Sequence, residues 1–210
     1  MSDGPGLQKI IVAVHGPVDD RVPETAGLRG YAVLRPSPDE PSPHPASIGA
    51  VALVWLDPEI VPEPGRWFDA PVDAYRVDEH VPLDRARDQR GAAPAWAVVQ
   101  CSFVRRLPGL TREEFAAHWR DVHAPLVPVH HPGVGRYVQN VVVEALTPDA
   151  PAVDGIAQLY FRTADDFRAR YYDSEAGRAV VGADVATFID RPRGWRIHAR
   201  ETRPGDPIRP

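Results

Sequence analysis

The densest run of reactive side chains in this 210-residue sequence lies between Phe115 and Tyr137, FAAHWRDVHAPLVPVHHPGVGRY. At 100° per residue, Phe115, Trp119, Val122 and Leu126 fall within about 60° of one helix face, with His118 and His123 flanking that stripe on opposite sides. So placed, the two imidazoles could not share one metal ion. A histidine at the edge of an apolar face suits acid or base work near neutral pH, because modest changes of environment carry its pKa across the working range. His123 also falls in the last turn, where the helix dipole favours its protonated form. The plainer alternative is that each histidine caps the helix or satisfies a core polar group. His130 and His131 sit in a Pro/Gly-bearing stretch that would serve as a lid or a ligand pair, or simply face solvent.

Strand parity gives a second clue. Alternation places Ala97, Val99, Cys101, Phe103, Val138, Val142, Ala157, Leu159, Phe161, Trp195 and Ile197 on one set of faces. The other set holds Trp96, Gln100, Ser102, Tyr137, Gln139, Gln158, Tyr160 and His198. Amides, phenols and an imidazole on one face line a polar pocket for an aromatic or carbonyl ligand, or else form a solvated sheet surface. Cys101 falls on the apolar set and reads as a buried structural thiol.

These groups need elements to hold them, and an internal repeat supplies the plan. Gly27-Leu-Arg-Gly-Tyr31 falls on Gly133-Val-Gly-Arg-Tyr137, and Gly49 to Trp55 falls on Gly155 to Phe161, both at an offset of 106 residues. Lys9–His15 with Trp96–Phe103, and Val72–Glu79 with Trp195–Glu201, complete four strand pairs. Thr111-Arg-Glu-Glu114 matches a capping box and opens a helix that Pro125 and Pro128 should end. A second helical region opens at Thr163 with Asp166 three residues on, and a further turn runs from Ser174 through Val181. The C-terminal half thus reads β-α-β-β-α-β, a ferredoxin-like order. The N-terminal half reads as a trimmed copy, its first connection being short and proline-bearing. The expected fold is α+β: tandem ferredoxin-like units with antiparallel sheets that cover each other's bare faces as an intrachain α+β barrel. Boundaries fall at 1–81 for the degenerate repeat, 82–94 for a proline-bounded linker, 95–205 for the second unit and 206–210 for a tail. Offset 106 aligns Val33 with Gln139, Ala52 with Gln158 and Val54 with Tyr160. Any pocket should therefore belong to the C-terminal half, with the N-terminal half as its lid or wall.

Composition bounds the remaining classes. The balance of 43% apolar and 25% charged residues is globular, and no apolar run approaches the roughly 18 residues that span a bilayer. The start MSDGPGLQ lacks the features of a signal peptide, and a lone cysteine allows no intrachain disulfide, so the expected location is cytoplasmic. A net charge of −5 without a basic block argues against nucleic-acid and anionic-membrane partners. There is no GxGxxG after a strand, no GxxxxGK[ST], no HExxH and no GxSxG, which removes support for nucleotide, zincin and α/β-hydrolase chemistry.

The segments PGLTREEFAAHWRDVHAPLV, GVGRYVQN, DGIAQLYFRTADDFRARYYDSEAG and ADVATFID resemble the EthD family of the dimeric α+β-barrel superfamily, across roughly residues 96 to 203. Phe115, Trp119 and His123 at F-x3-W-x3-H, then the Gly-x3-Tyr strand start and the Asp184-x3-Phe188 ending, are its most specific parts. The resemblance implies a pocket with His123 beside Trp119, as in polyketide dehydratases, cyclases and decarboxylases. The wider superfamily includes lactone isomerases, cofactor-independent aromatic monooxygenases and haem enzymes. The leading expectation is a cofactor-independent acid/base enzyme of dehydratase, cyclase, isomerase or decarboxylase type. Its substrate would be a small phenolic, polyketide-like or lactone molecule of secondary metabolism or aromatic catabolism. Here His123 moves a proton alpha to a carbonyl, with His131 as a second catalytic imidazole. Tyr137 or Tyr160 meets the developing enolate oxygen, and Gln139 and Gln158 orient the ligand with Trp119, His118 and Gln100. The alternatives are a haem- or metal-dependent enzyme using His123, His130 or His131, a cofactor-free monooxygenase, and a non-catalytic binding or accessory protein. A homodimer stays open beside the tandem fusion.

Overall fold

The computed structural model describes residues 6–19, 21–42, 45–85 and 96–202. Eight strands form in the order the repeat requires: β1 (Gln8–His15), β2 (Leu28–Pro36), β3 (Ile48–Leu56), β4 (Val72–Asp84), β5 (Val98–Val104), β6 (Val134–Ala145), β7 (Gly155–Phe161) and β8 (Trp195–Thr202). Within each half the antiparallel neighbours run fourth, first, third, second, the ferredoxin-like arrangement. An open sheet of that kind leaves two unpaired edges. Both are consumed inside the chain: β2 pairs with β8 through Val33↔Thr202 to Pro36↔Ala199, and β4 pairs with β6 from Tyr75↔Ala145 to Asp84↔Arg136. The result is one closed eight-stranded barrel.

Inward positions of both sheets merge into one core, including Ile11, Leu34, Leu53 and Tyr75 from the first half and Val99, Cys101, Phe103 and Ile197 from the second. The expectation that each sheet covers the other's bare face therefore holds. Burial in this core pushes the Cys101 thiol up to about 12, so it is an inert packing group.

β4 continues to Asp84, past the expected end of the first unit, because Leu83 and Asp84 still find partners in Tyr137 and Arg136. Residues 86–94 of the expected linker and the tail 206–210 lie outside the described residues.

The two halves differ on their outer faces. In the first, a single 3-10 turn at Pro64–Arg66 is the only helical segment among the described connections, and Val18, Ile60, Trp67 and Phe68 cover the sheet. In the second, helices lie over it: α1 (Arg112–His118), α2 (Leu126–His130), α3 (Ala164–Ala169) and α4 (Glu175–Phe188). The Thr111 capping box forms as read, with Thr111 Oγ1 accepting from Glu114 N–H and the Glu114 carboxylate accepting from Thr111 N–H. Thr163 and Ser174 cap α3 and α4 one way only, their side-chain oxygens accepting from Asp166 N–H and Gly177 N–H. None of these helices is long and apolar enough to cross a membrane.

Pro125 and Pro128 do not end the helical path. Pro125 is the N-cap of α2 and Pro128 lies in its first turn, where backbone N–H groups have no intrahelical acceptor and a missing donor costs nothing. Between α1 and α2 the backbone forms a π turn, Trp119–His123, closed by Ala124 N–H donating to Trp119 C=O at 3.0 Å.

Candidate active site

The π turn changes the geometry of the two histidines. On a straight α-helix His118 and His123 would stand about 140° apart. A turn closed by an i→i+5 bond absorbs an extra residue and brings positions five apart toward one face. The two imidazoles therefore converge on one carboxylate of α4: His123 Nδ1 lies 2.7 Å from Asp184 Oδ2 and His118 Nε2 lies 2.8 Å from Asp184 Oδ1. Phe188, one turn further along α4, packs against both rings, with centroids 4.6 Å from His118 and 5.2 Å from His123.

A carboxylate can only accept, so His123 donates its Nδ1–H and carries its lone pair on Nε2. Burial pushes the His123 pKa below its ordinary value, while the Asp184 carboxylate pulls the other way. The imidazole is accordingly neutral near pH 7, against the sequence expectation that the helix dipole would favour its protonated form. Nε2 has no hydrogen-bond partner among the described residues, and His123 lines a cavity of about 400 Å3.

The cavity lies between the outer face of the second sheet and its helices, lined there by Trp119, Val127, Leu159, Tyr171, Val181 and Val185. Its size is that of a small-molecule pocket, and its lining mixes apolar and polar side chains. His131 faces it as well. That ring donates Nδ1–H to the Tyr171 carbonyl at 2.6 Å, and burial lowers its pKa to about 4, so a second neutral imidazole lines the cavity.

Tyr137 supplies the opposite polarity. Its hydroxyl oxygen accepts from Trp119 Nε1–H at 2.8 Å and Gln139 Nε2–H at 3.3 Å, which leaves its own O–H to donate. Burial holds that hydroxyl protonated far above neutral pH. The approach of Trp119 depends on Gly155, where a Cβ would stand 2.4 Å from the indole ring.

The remaining predicted residues take different places. Gln100 lines the cavity and donates to the Tyr171 hydroxyl at 3.0 Å. His118 does not line it but stands behind Asp184. Gln139 is buried beneath it, its amide divided between the Trp119 carbonyl and Tyr137. Gln158 and Tyr160 depart from the expected shared face. In the β5–β7 register, Cys101 lies opposite Gln158 and Val99 opposite Tyr160, and residues directly opposite share a face. Both therefore point into the barrel: Gln158 Oε1 accepts from Lys9 and Asn140, and the Tyr160 ring packs on Trp96 under the Arg136 guanidinium. His130 turns away to Asp173.

All the lining residues fall between Gln100 and Arg196, so the first half is neither lid nor wall. Its sheet closes the barrel on the far side, while the cavity lies outside the barrel under helices that have no counterpart among the described residues of the first half. Among the described residues no three His, Cys, Asp or Glu side chains converge as a metal site would require. Sequence reasoning missed the partnership of Asp184 with the histidines, and the tyrosine pair Tyr171–Tyr172. The signal for the first was there: Val181, Val185 and Phe188 recur at helical spacing after the Ser174 cap, which would have carried α4 through Asp184.

Comparison with known proteins follows the same division of the chain. Residues 107–192 match the EthD domain. The match takes in the π turn, His118, His123, His131, Tyr137 and Asp184, so the whole hydrogen-bonded cluster lies inside the matched segment. Two solved structures are similar over nearly the full length. One is an anthrone oxidase-like protein, with a TM-score of 0.61 at 11% identity, covering 97% of this chain and 96% of that one. The other is a provisionally named monooxygenase from Lactobacillus acidophilus NCFM, with a TM-score of 0.52 at 6% identity, covering 98% and 100%. At such identities the likeness is one of fold, a closed antiparallel barrel with helices. No curated protein sequence matches the chain.

Proposed function

We propose that this protein is an enzyme that abstracts a proton from a small aromatic or polyketide-like substrate, with His123 as general base. The observation that carries the reading is the Asp184–His123 pair: a carboxylate fixes Nδ1–H, and the free Nε2 lone pair borders an aromatic-walled cavity. The substrate C–H alpha to a carbonyl, or a phenolic O–H, gives its proton to Nε2. The new imidazolium is stabilised by Asp184, and the enolate or phenolate oxygen is met by the Tyr137 O–H. A positioned base is worth about 10²–10⁴-fold, and a preorganised donor at the oxyanion about 10²–10³-fold. Gln139 and Trp119 hold Tyr137, and His118 holds Asp184; both pairs act by positioning.

The carbanion so formed has several exits. Elimination or ring closure needs nothing further from the protein than the proton His123 now carries, which passes to the leaving group or to the new alkoxide. Reaction with dioxygen is the exit suggested by the names of the two similar structures, and it begins with the same proton transfer. The test is a melting-temperature screen of wild type and His123→Ala with phenols, anthrone-like polycycles and unsaturated lactones, followed by turnover of whichever class binds. A ligand at a hundredfold excess over Kd stabilises by about 2.7 kcal/mol. Binding of one class with turnover lost in His123→Ala is expected, and unchanged turnover in that variant refutes the role.

A further inference from the structure

The cavity's charge carries a further reading, which rests on the function proposed above. No aspartate or glutamate is among its lining residues, while Arg191 and Arg196 stand at its rim. Arg196 lies beside Ser102 in the β5–β8 register, which sets it over the cavity floor. In a chain of net charge −5, nearly every described arginine has a carboxylate, carbonyl, hydroxyl or aromatic ring to engage. Arg191 and Arg196 have none among the described residues, and the same holds for Arg105, which lines a separate cavity at the barrel end. Arginines left without acceptors at the mouth of an acid-free pocket form a ready oxyanion clamp.

We infer that the substrate is an aromatic oxyanion, with its ring system against Trp119 and Tyr171 and a carboxylate or phosphate held at the mouth by Arg191 and Arg196. The anionic group then lies at the end of the ligand away from His123 and Tyr137, so the clamp orients the ring without entering the chemistry.

Calorimetric titration of the full chain with 6-hydroxy-2-naphthoate, 2-naphthyl phosphate and the neutral 6-hydroxy-2-naphthamide tests this, beside the Arg191→Gln/Arg196→Gln double variant. At least one anion should bind wild type about tenfold tighter than the amide, the combined effect of two partly exposed charge pairs, and which anion gains identifies the group. The double variant should bind both anions within about twofold of the amide and leave amide binding unchanged. Equal binding of anions and amide by wild type, or an advantage that survives in the double variant, overturns the clamp alone. Failure of all three ligands to bind overturns the clamp together with the aromatic-pocket reading beneath it.

Discussion

Replacing Asp184 by asparagine removes one charge and almost no volume, which makes it the sharpest probe of the proposed base. Asp184 accepts from His123 at 2.7 Å and from His118 at 2.8 Å, so the amide meets two demands that it can satisfy only in part. If its oxygen faces His123, the tautomer is kept but the carboxylate that stabilises the imidazolium is gone. A hydrogen bond to a charged group is worth about 1.5–3 kcal/mol, which converts to a fall of roughly 10- to 150-fold in kcat. If its NH2 faces His123, the ring proton moves to Nε2, the lone pair leaves the cavity, and the loss rises to the full 10²–10⁴-fold contribution of a general base. A fall of about 10²-fold is therefore expected in steady-state turnover, with a cooperative melt retained. The pH profile gives an independent sign. Asp184 is the group that raises the His123 pKa against burial, so its loss should move the acid limb of kcat to lower pH. Activity within about threefold of wild type, or an acid limb that moves upward, would refute the Asp184–His123 assignment.

Three further outcomes are expected. Tyr137→Phe should lower kcat by about 10²–10³-fold, and it should also lower stability by about 1–3 kcal/mol in denaturant titration, because Trp119 and Gln139 lose their buried acceptor. Gly155→Ala should destabilise by about 1–3 kcal/mol and change Trp119 fluorescence, since its Cβ would stand 2.4 Å from the indole; an unchanged melt and spectrum would contradict the packing described. His131 is neutral in the fold, with a pKa of about 4 against an ordinary 6.5, so the unfolded chain takes up protons first as pH falls. Its contribution is intact above about pH 6.5 and is lost toward pH 4 by about 3 kcal/mol, and His131→Asn should flatten that part of the stability profile.

Much of the fold was legible because the repeat sits on glycine-tyrosine strand starts and β-branched runs whose spacing survives in both halves. The fourth–first–third–second strand order follows from the ferredoxin-like unit once that repeat is seen. The site was legible only in part. Tyr137, Gln100, His123 and His131 meet at one cavity, but alternation fixes faces only within a strand. The inward placement of Gln158 and Tyr160 depends on register between β5 and β7, a long-range property that no single strand encodes. The convergence of His118 and His123 had the same character. Helical periodicity assumes 100° per residue, and the π turn at Trp119–His123 breaks that assumption at the place where the chemistry is held.

The most direct test of the account is solvent hydrogen exchange. Anthrone has an acidic C–H alpha to its ring system, and incubating it anaerobically in D2O with the protein isolates proton transfer from every later step. Wild type should speed deuterium incorporation over buffer by at least tenfold, and His123→Ala should return it to the buffer rate. Equal exchange with wild type, His123→Ala and buffer would contradict a proton-abstracting His123, whatever else the cavity binds.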